Sequence, residues 1–210
     1  RVPVHLWRAL QRYREHLLDA IAGLMVQLHM VGFFWGDCSL SNTLFRRDAG
    51  ALQAYLVDAE TAEQHEGYFS PALRFHDLQI MSENLEAELL DLQNAGLLTN
   101  MGIPANEADR YIQGRYQELW REITHSVIIQ SDEHYRIQDR IRVLNELGFS
   151  VGNVELVELE NGSQLQLRVF VTDRNYYRDQ LYNLTGLDTE EMQAQKMMNE
   201  IQELRATLSQ

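Results

Sequence analysis

Asp37 and Asn42 stand five residues apart in the stretch Trp35-Gly36-Asp37-Cys38-Ser39-Leu40-Ser41-Asn42, and a further acid, Asp58, closes the apolar run Ala54-Tyr55-Leu56-Val57. Carboxylates and a side-chain amide are hard oxygen donors. Mg²⁺ needs only one or two such groups, because it keeps several waters and takes substrate phosphate oxygens for the rest of its octahedron. Two short apolar runs flank Asp48-Ala49-Gly50, a turn signal, and together they read as a β-hairpin. With the turn near Gly50, antiparallel pairing opposes residues whose numbers sum to about 100. Asn42 and Asp58 are then expected side by side at the open end of the hairpin, with Asp37 one tight loop earlier.

The elements that must position these groups can be followed along the chain. Between Val4 and Met30, Leu6, Leu10, Leu17, Ile21, Leu24 and Leu28 recur at three- and four-residue steps, apart from one longer gap. That period predicts one long helix, or two in sequence, with Gly32 as terminator. After Glu60 a polar stretch through Pro71 reads as loop. An amphipathic helix follows from His76 to Gly96, with Glu83, Glu86, Glu88 and Asp91 as its solvated face. Met101-Gly102-Ile103-Pro104 interrupts the pattern, which restarts at Ala105 with Ile112, Tyr116, Leu119 and Ile123 on one face.

The last third changes style. A helix from Tyr135 is stopped by Gly148, and two alternating runs flank Asn161-Gly162, the strongest short hairpin signal and one that favours a type I′ turn. Two more helices follow, the second opening on Asp188 with Glu191 three residues later, a capping-box pattern. The expected fold class is α+β, mainly helical. A first domain of residues 1–131 arranges helices around the hairpin, and residues 132–210 form a small α-β-β-α-α module. The Tyr176-Tyr177 and Met197-Met198 pairs read as core.

Bulk properties narrow the function. The chain has 210 residues and a net charge of −13, with twelve acids against two bases in residues 48–110, so it carries no basic nucleic-acid footprint. No run of apolar residues is long enough for a transmembrane segment. The single cysteine, Cys38, excludes an internal disulfide and points to a reducing compartment, the cytoplasm. With no nearby His partner it reads as a buried thiol rather than a nucleophile, and Trp35 as a side chain packed under the loop. The seven histidines show no zinc spacing.

Helix, D-x-x-x-x-N loop, hairpin and closing acid together resemble the catalytic core of the protein-kinase-like superfamily. The resemblance implies that 35–42 is a catalytic loop in which Asp37 accepts the proton of a substrate hydroxyl. It implies that Asn42 and Asp58 hold Mg²⁺ against the phosphates of ATP, and that Asp77 is the buried acid bracing the loop. Gly36 stands where regulated protein kinases carry Arg, which is similar to small-molecule kinases of the aminoglycoside and lipopolysaccharide-kinase types. Two positions depart from the pattern: Trp35 replaces a His, and Asp58-Ala59-Glu60 replaces D-F-G. The alternative is therefore a catalytically inactive pseudokinase lobe that acts as a binding or interaction module. The kinase-like match covers roughly residues 4–95.

Most of the remainder, from "VDAE" through "ELLDLQ" to "RIQDRIRVLNELGF" and "LTGLD", resembles a bacterial domain of unknown function found attached to lipopolysaccharide-kinase-like lobes. The family's N-terminal lobe supplies a Gly-rich loop and a strand lysine. The only lysine here, Lys196, lies in the last helix, and the chain does not begin with Met. An N-terminal lobe is accordingly expected upstream, and residues 1–210 alone are expected to turn over no ATP. The expected partners are a nucleotide and an unidentified hydroxyl acceptor, with no nucleic acid.

Overall fold

The computed structural model describes residues 4–48, 51–66, 69–96, 105–130, 132–133, 135–147, 149–159, 164–171 and 175–208. Its fold is α+β and mainly helical, as the residue pattern predicts. It divides into two compact units, one built from residues 1–47 and 51–119 and the other mainly from residues 120–210.

In the N-terminal unit, α1 (Val4–Met30) is one uninterrupted helix that buries Leu18, Ile21, Ala22, Met25 and His29 at helical spacing. Gly32 ends it with φ +74°, its amide donating to the His29 carbonyl at 3.2 Å. A Cβ at Gly32 would stand 2.5 Å from the His65 carbonyl oxygen, so the position admits only glycine. β1 (Phe33–Phe34) then pairs antiparallel with β4 (Glu63–Gln64). The polar stretch after Glu60 is therefore not all loop. A two-residue strand depends on its distant partner, and no local pattern announces it.

β2 (Thr43–Asp48) and β3 (Ala51–Leu56) form the expected two-stranded hairpin; Ala49 and Gly50 lie outside the described residues. The amide of Val57, rather than that of Asp58, donates to the Asn42 carbonyl at 3.1 Å. The Asn42 carbonyl is thus met one residue short of the expected Asp58, and both Asn42 and Asp58 lie just outside the strands, which end at Thr43 and Leu56.

α2 (Pro71–Asn94) starts five residues before the expected His76. Ser70 caps it by accepting from the Leu73 amide at 3.2 Å, and Pro71 occupies the first turn, where its missing N–H costs nothing. α3 (Ala105–Thr124) buries Ala108, Ile112, Tyr116, Leu119 and Ile123 along one stripe. Met101–Pro104 lie outside the described residues.

In the C-terminal unit, α4 (Tyr135–Glu146), β6 (Val151–Glu158), β7 (Gln164–Val171), α5 (Tyr176–Thr185) and α6 (Glu191–Leu208) follow the expected α-β-β-α-α order. A strand not foreseen, β5 (Val127–Gln130), precedes them and makes a three-stranded antiparallel sheet of order β5-β7-β6. Its β-branched run Val127-Ile128-Ile129 between Ser126 and Ser131-Asp132 is a strand cue that the helical reading passes over. β6 and β7 pair Leu156 with Leu167 and Glu158 with Leu165. Gly148 and the Asn161-Gly162 turn lie outside the described residues. Tyr177, Leu181, Ala194 and Met198 form a buried cluster flanked by Tyr176, Met197 and Ile201, so both residue pairs serve the core.

The acids of the expected capping box are used differently. Asp188 pairs with Arg178 at 2.8 Å, while the Glu191 carboxylate accepts from the amides of Tyr177 at 3.0 Å and Arg178 at 2.9 Å, and from Ser150 at 2.8 Å. Asn175 supplies no side-chain cap to α5, and Glu191 takes over that role from the neighbouring helix.

Candidate functional site

Four residues of α2 at steps of four, three and four (Asp77, Met81, Asn84 and Glu88) lie along one helix face. A stripe of purely apolar residues there would serve packing alone. Three of these positions are polar, and each grips a part of the loop 35–42.

Asp77 is fully buried. Its Oδ2 accepts from the Trp35 amide at 2.9 Å and its Oδ1 from the Gly36 amide at 2.9 Å. His29 Nε2 also meets Oδ2, at 3.0 Å, and His29 Nδ1 meets the Tyr116 hydroxyl at 2.8 Å. With a carboxylate on one side, Nε2 carries the imidazole proton, and Nδ1 accepts from Tyr116. Burial lowers the pKa of His29; the hydrogen bond and charge of Asp77 oppose that shift and do not overcome it. The imidazole is therefore neutral, as the tautomer requires. Burial likewise pushes the Tyr116 phenol up to about 12. The acid is thus held by hydrogen bonds from His29 and two backbone amides, with the Arg74 charge acting on both His29 and Tyr116, which is how a buried carboxylate is made tolerable.

The backbone at Gly36 adds a second constraint. Its φ is +77°, and a Cβ there would lie 2.9 Å from the Thr61 carbonyl oxygen. Thr61 in turn donates its hydroxyl to the Trp35 carbonyl at 3.2 Å, and Trp35 is fully buried beneath the loop. Glycine at position 36 is required by this conformation and close approach, whatever else its small size permits.

Asp37 emerges directly after this anchored pair. Its Oδ2 accepts from Asn42 Nδ2 at 3.1 Å and its Oδ1 from Asn84 Nδ2 at 3.2 Å. Asn42 Nδ2 also reaches the Asp37 carbonyl at 3.3 Å, and Asn84 Nδ2 the Cys38 carbonyl at 3.1 Å. Glu88 closes the far end, accepting from the amides of Leu40 at 2.7 Å and Ser41 at 3.1 Å. Within the loop, Ser39 Oγ accepts from the Asn42 amide at 3.2 Å and Thr43 Oγ1 donates to the Ser39 carbonyl at 2.7 Å. Glu88 is therefore not part of a solvated face, whereas Glu83, Glu86 and Asp91 are exposed as expected.

Asp58 sits at the exposed end of β3, its Oδ1 accepting from the Glu60 amide at 3.1 Å. The Val57 bond to Asn42 makes the chain leave the hairpin where the loop enters it. Among the described residues, no hydrogen bond joins Asp58 to Asp37 or Asn42, and no three His, Cys, Asp or Glu side chains converge as a metal site. The candidate donor set is thus two oxygen types, the Asp58 carboxylate and the Asn42 amide oxygen. Both partners of Asn42 Nδ2 are acceptors, so the nitrogen must face Asp37 and the oxygen turns away from it. Amide and carboxylate oxygens are both hard donors of the kind Mg²⁺ takes. Cys38 is buried, and burial, reinforced by the nearby acids Asp77, Glu88 and Asp37, pushes its thiol well above the usual range; it is no nucleophile.

Sequence reasoning missed His29, Thr61, Asn84, Tyr116 and Glu88. For Asn84 and Glu88 a signal existed: counting seven and eleven residues from Asp77 puts both on the face that buries Met81. For His29 and Tyr116 the partners lie 48 and 87 residues away, beyond any local pattern.

Among known proteins, residues 118–210 match the model of a family described as Domain of unknown function (DUF4032). No curated protein matches the chain.

Proposed function

We propose that residues 4–95 carry the base- and metal-bearing part of an ATP-dependent phosphotransferase, similar to lipopolysaccharide and small-molecule kinases, that acts on a hydroxyl acceptor. The supporting observation is the braced loop. Asp77 holds the two amides before Asp37, and side-chain amides engage both of its carboxylate oxygens. Each oxygen keeps a further acceptor direction toward a substrate. In the reaction, Asp37 takes the proton of the acceptor hydroxyl as its oxygen bonds to the γ-phosphorus of ATP. The bond from that phosphorus to the bridging oxygen breaks, and ADP leaves.

Asn42 Oδ1 and the Asp58 carboxylate would hold Mg²⁺. The ion, when bound, supplies positive charge to the transferring phosphoryl group. Phosphoryl transfer depends chiefly on positioning and charge neutralisation, so this reading requires a nucleotide clamp in addition to these residues. ATP binding by the full-length protein tests the reading. Binding is expected to need Mg²⁺, to weaken in Asp58→Asn and to change little in Asp37→Asn. Absence of any Mg²⁺-dependent ATP binding would leave the loop as part of an interaction module.

A further inference from the structure

We propose that Asn84 is the positioning residue of this site: it sets the orientation of the Asp37 carboxylate from α2. The inference rests on the phosphotransferase reading and deepens it. Asp37 is only half-buried and follows a glycine, so neither packing nor its neighbours alone restrict its side chain. Staggered rotamers about χ1 would swing the carboxylate oxygens by more than an ångström. Two amides prevent this. Asn42 reaches Oδ2 from within the loop and Asn84 reaches Oδ1 from a helix outside it.

The two donors differ in what anchors them. Asn42 belongs to the loop, so it moves wherever the loop moves. Asn84 lies in the middle of a regular helix between the buried Met81 and Leu85. Both hydrogens of its Nδ2 are used, one on Asp37 Oδ1 and the other on the Cys38 carbonyl, so its bonds hold the side chain and its own peptide segment in one frame. Asparagine, with two donor hydrogens on one nitrogen, fits this task. Aspartate has the same shape and would present oxygen to two acceptors; alanine presents nothing. Asn84 touches neither acceptor nor nucleotide in this scheme and acts through Asp37.

The test is a double-mutant cycle on phosphoryl transfer by the full-length protein, using Mg-ATP as the varied substrate. Asn84→Ala is expected to lower kcat by roughly 10–100-fold, the range for removing a group that orients a functional side chain, while KM for Mg-ATP stays within about twofold. Asn84→Asp, which keeps the volume, is expected to lose at least as much; this variant decides the matter if the alanine variant folds poorly. In an Asp37→Asn background, Asn84→Ala is expected to add less than about twofold, because a residue acting through Asp37 has nothing further to orient. A full, multiplicative loss in that background, or an Asn84→Asp variant with wild-type kcat, overturns the proposal and leaves the phosphotransferase reading standing. A wild-type protein without phosphoryl transfer, or one indifferent to Asp37→Asn, overturns both.

Discussion

In the N-terminal unit the Glu88 carboxylate accepts from the amides of Leu40 and Ser41, and in the C-terminal unit the Glu191 carboxylate accepts from those of Tyr177 and Arg178. The chemical device is the same, a glutamate on one helix receiving two consecutive backbone N–H groups. The settings differ. Tyr177 and Arg178 open α5, and a helix start always leaves unpaired amides with a positive end of the dipole. Glu191 meets a need that any helix creates. Leu40 and Ser41 belong to no helix or strand, and the loop holding them is kept in shape by Asp77, Asn84 and Glu88 together.

The helix interiors repeat the contrast. The α5–α6 contact spends its inward positions on Tyr177, Leu181, Ala194 and Met198, which contribute burial. α2 spends three inward positions on an acid, an amide and another acid. Polar groups there add little net stability even when fully bonded. What they provide is a defined geometry for the backbone on either side of Asp37 and for its carboxylate. The α5–α6 contact also buries a polar side chain, Gln195, which bonds Tyr177 within that core, whereas the polar residues of α2 bond the loop around Asp37 and mark it as the place where position matters more than stability.

The largest test of this contrast is removal of the buried acid. Asp77→Ala strips partners from the amides of Trp35 and Gly36 and from His29, each unpaired buried donor costing about 1–3 kcal/mol, so a loss on the order of 4 kcal/mol is expected in urea unfolding. A loss below about 1 kcal/mol would mean that the loop does not depend on α2.

The two glutamates separate the settings at a smaller scale. Glu88→Gln and Glu191→Gln are each expected to cost about 1 kcal/mol, since one of two accepting oxygens becomes a donor facing an N–H. Amide hydrogen exchange should tell them apart. The first variant is expected to speed exchange at Leu40 and Ser41, and the second at Tyr177 and Arg178 with fraying of the first turn of α5. Faster exchange throughout α2 in Glu88→Gln would instead make Glu88 a support of its own helix.

The smallest effect is a pH dependence. Burial holds the His29 pKa below 6.5, whereas the unfolded imidazole takes up a proton as pH falls through that value. The unfolded state then binds more protons, so the contribution of His29 is present above about pH 6.5 and is lost on acidification. Unfolding measured at about pH 7.5 and about pH 5.5 is expected to show a shallower loss in His29→Asn than in the wild type. An identical loss in the two would mean that His29 takes up its proton in the folded protein at the same pH as in the unfolded chain.

Much of this architecture was legible in the residues. The period of α1, the stripe Ile112, Tyr116, Leu119 and Ile123, and the alternation in β6 and β7 are local patterns, and local patterns are what a sequence displays. β4 was not legible, because a strand of two residues exists through pairing with a partner far along the chain, whereas β5 carries a β-branched signal that the helical reading passes over. The hairpin was legible and the residue that meets the Asn42 carbonyl was not: a turn position uncertain by one residue is enough to change it. At the site, spacing singled out Asp37, Asn42 and Asp58, and the kinase-like resemblance added Asp77. It did not single out Asn84 and Glu88, since polar residues on a helix are read as solvated unless the face they share with Met81 and Leu85 is traced.

The central claim is that the loop is held so that Asp37 can take a proton from a hydroxyl. The most direct measurement is the rate of phosphoryl transfer by the full-length protein with Asp37→Asn at saturating Mg-ATP. The account predicts a rate lower by roughly 10²–10⁴, typical of losing a general base, with Mg-ATP affinity nearly unchanged because Asn42 and Asp58 remain. A variant that transfers phosphate as fast as the wild type would contradict it.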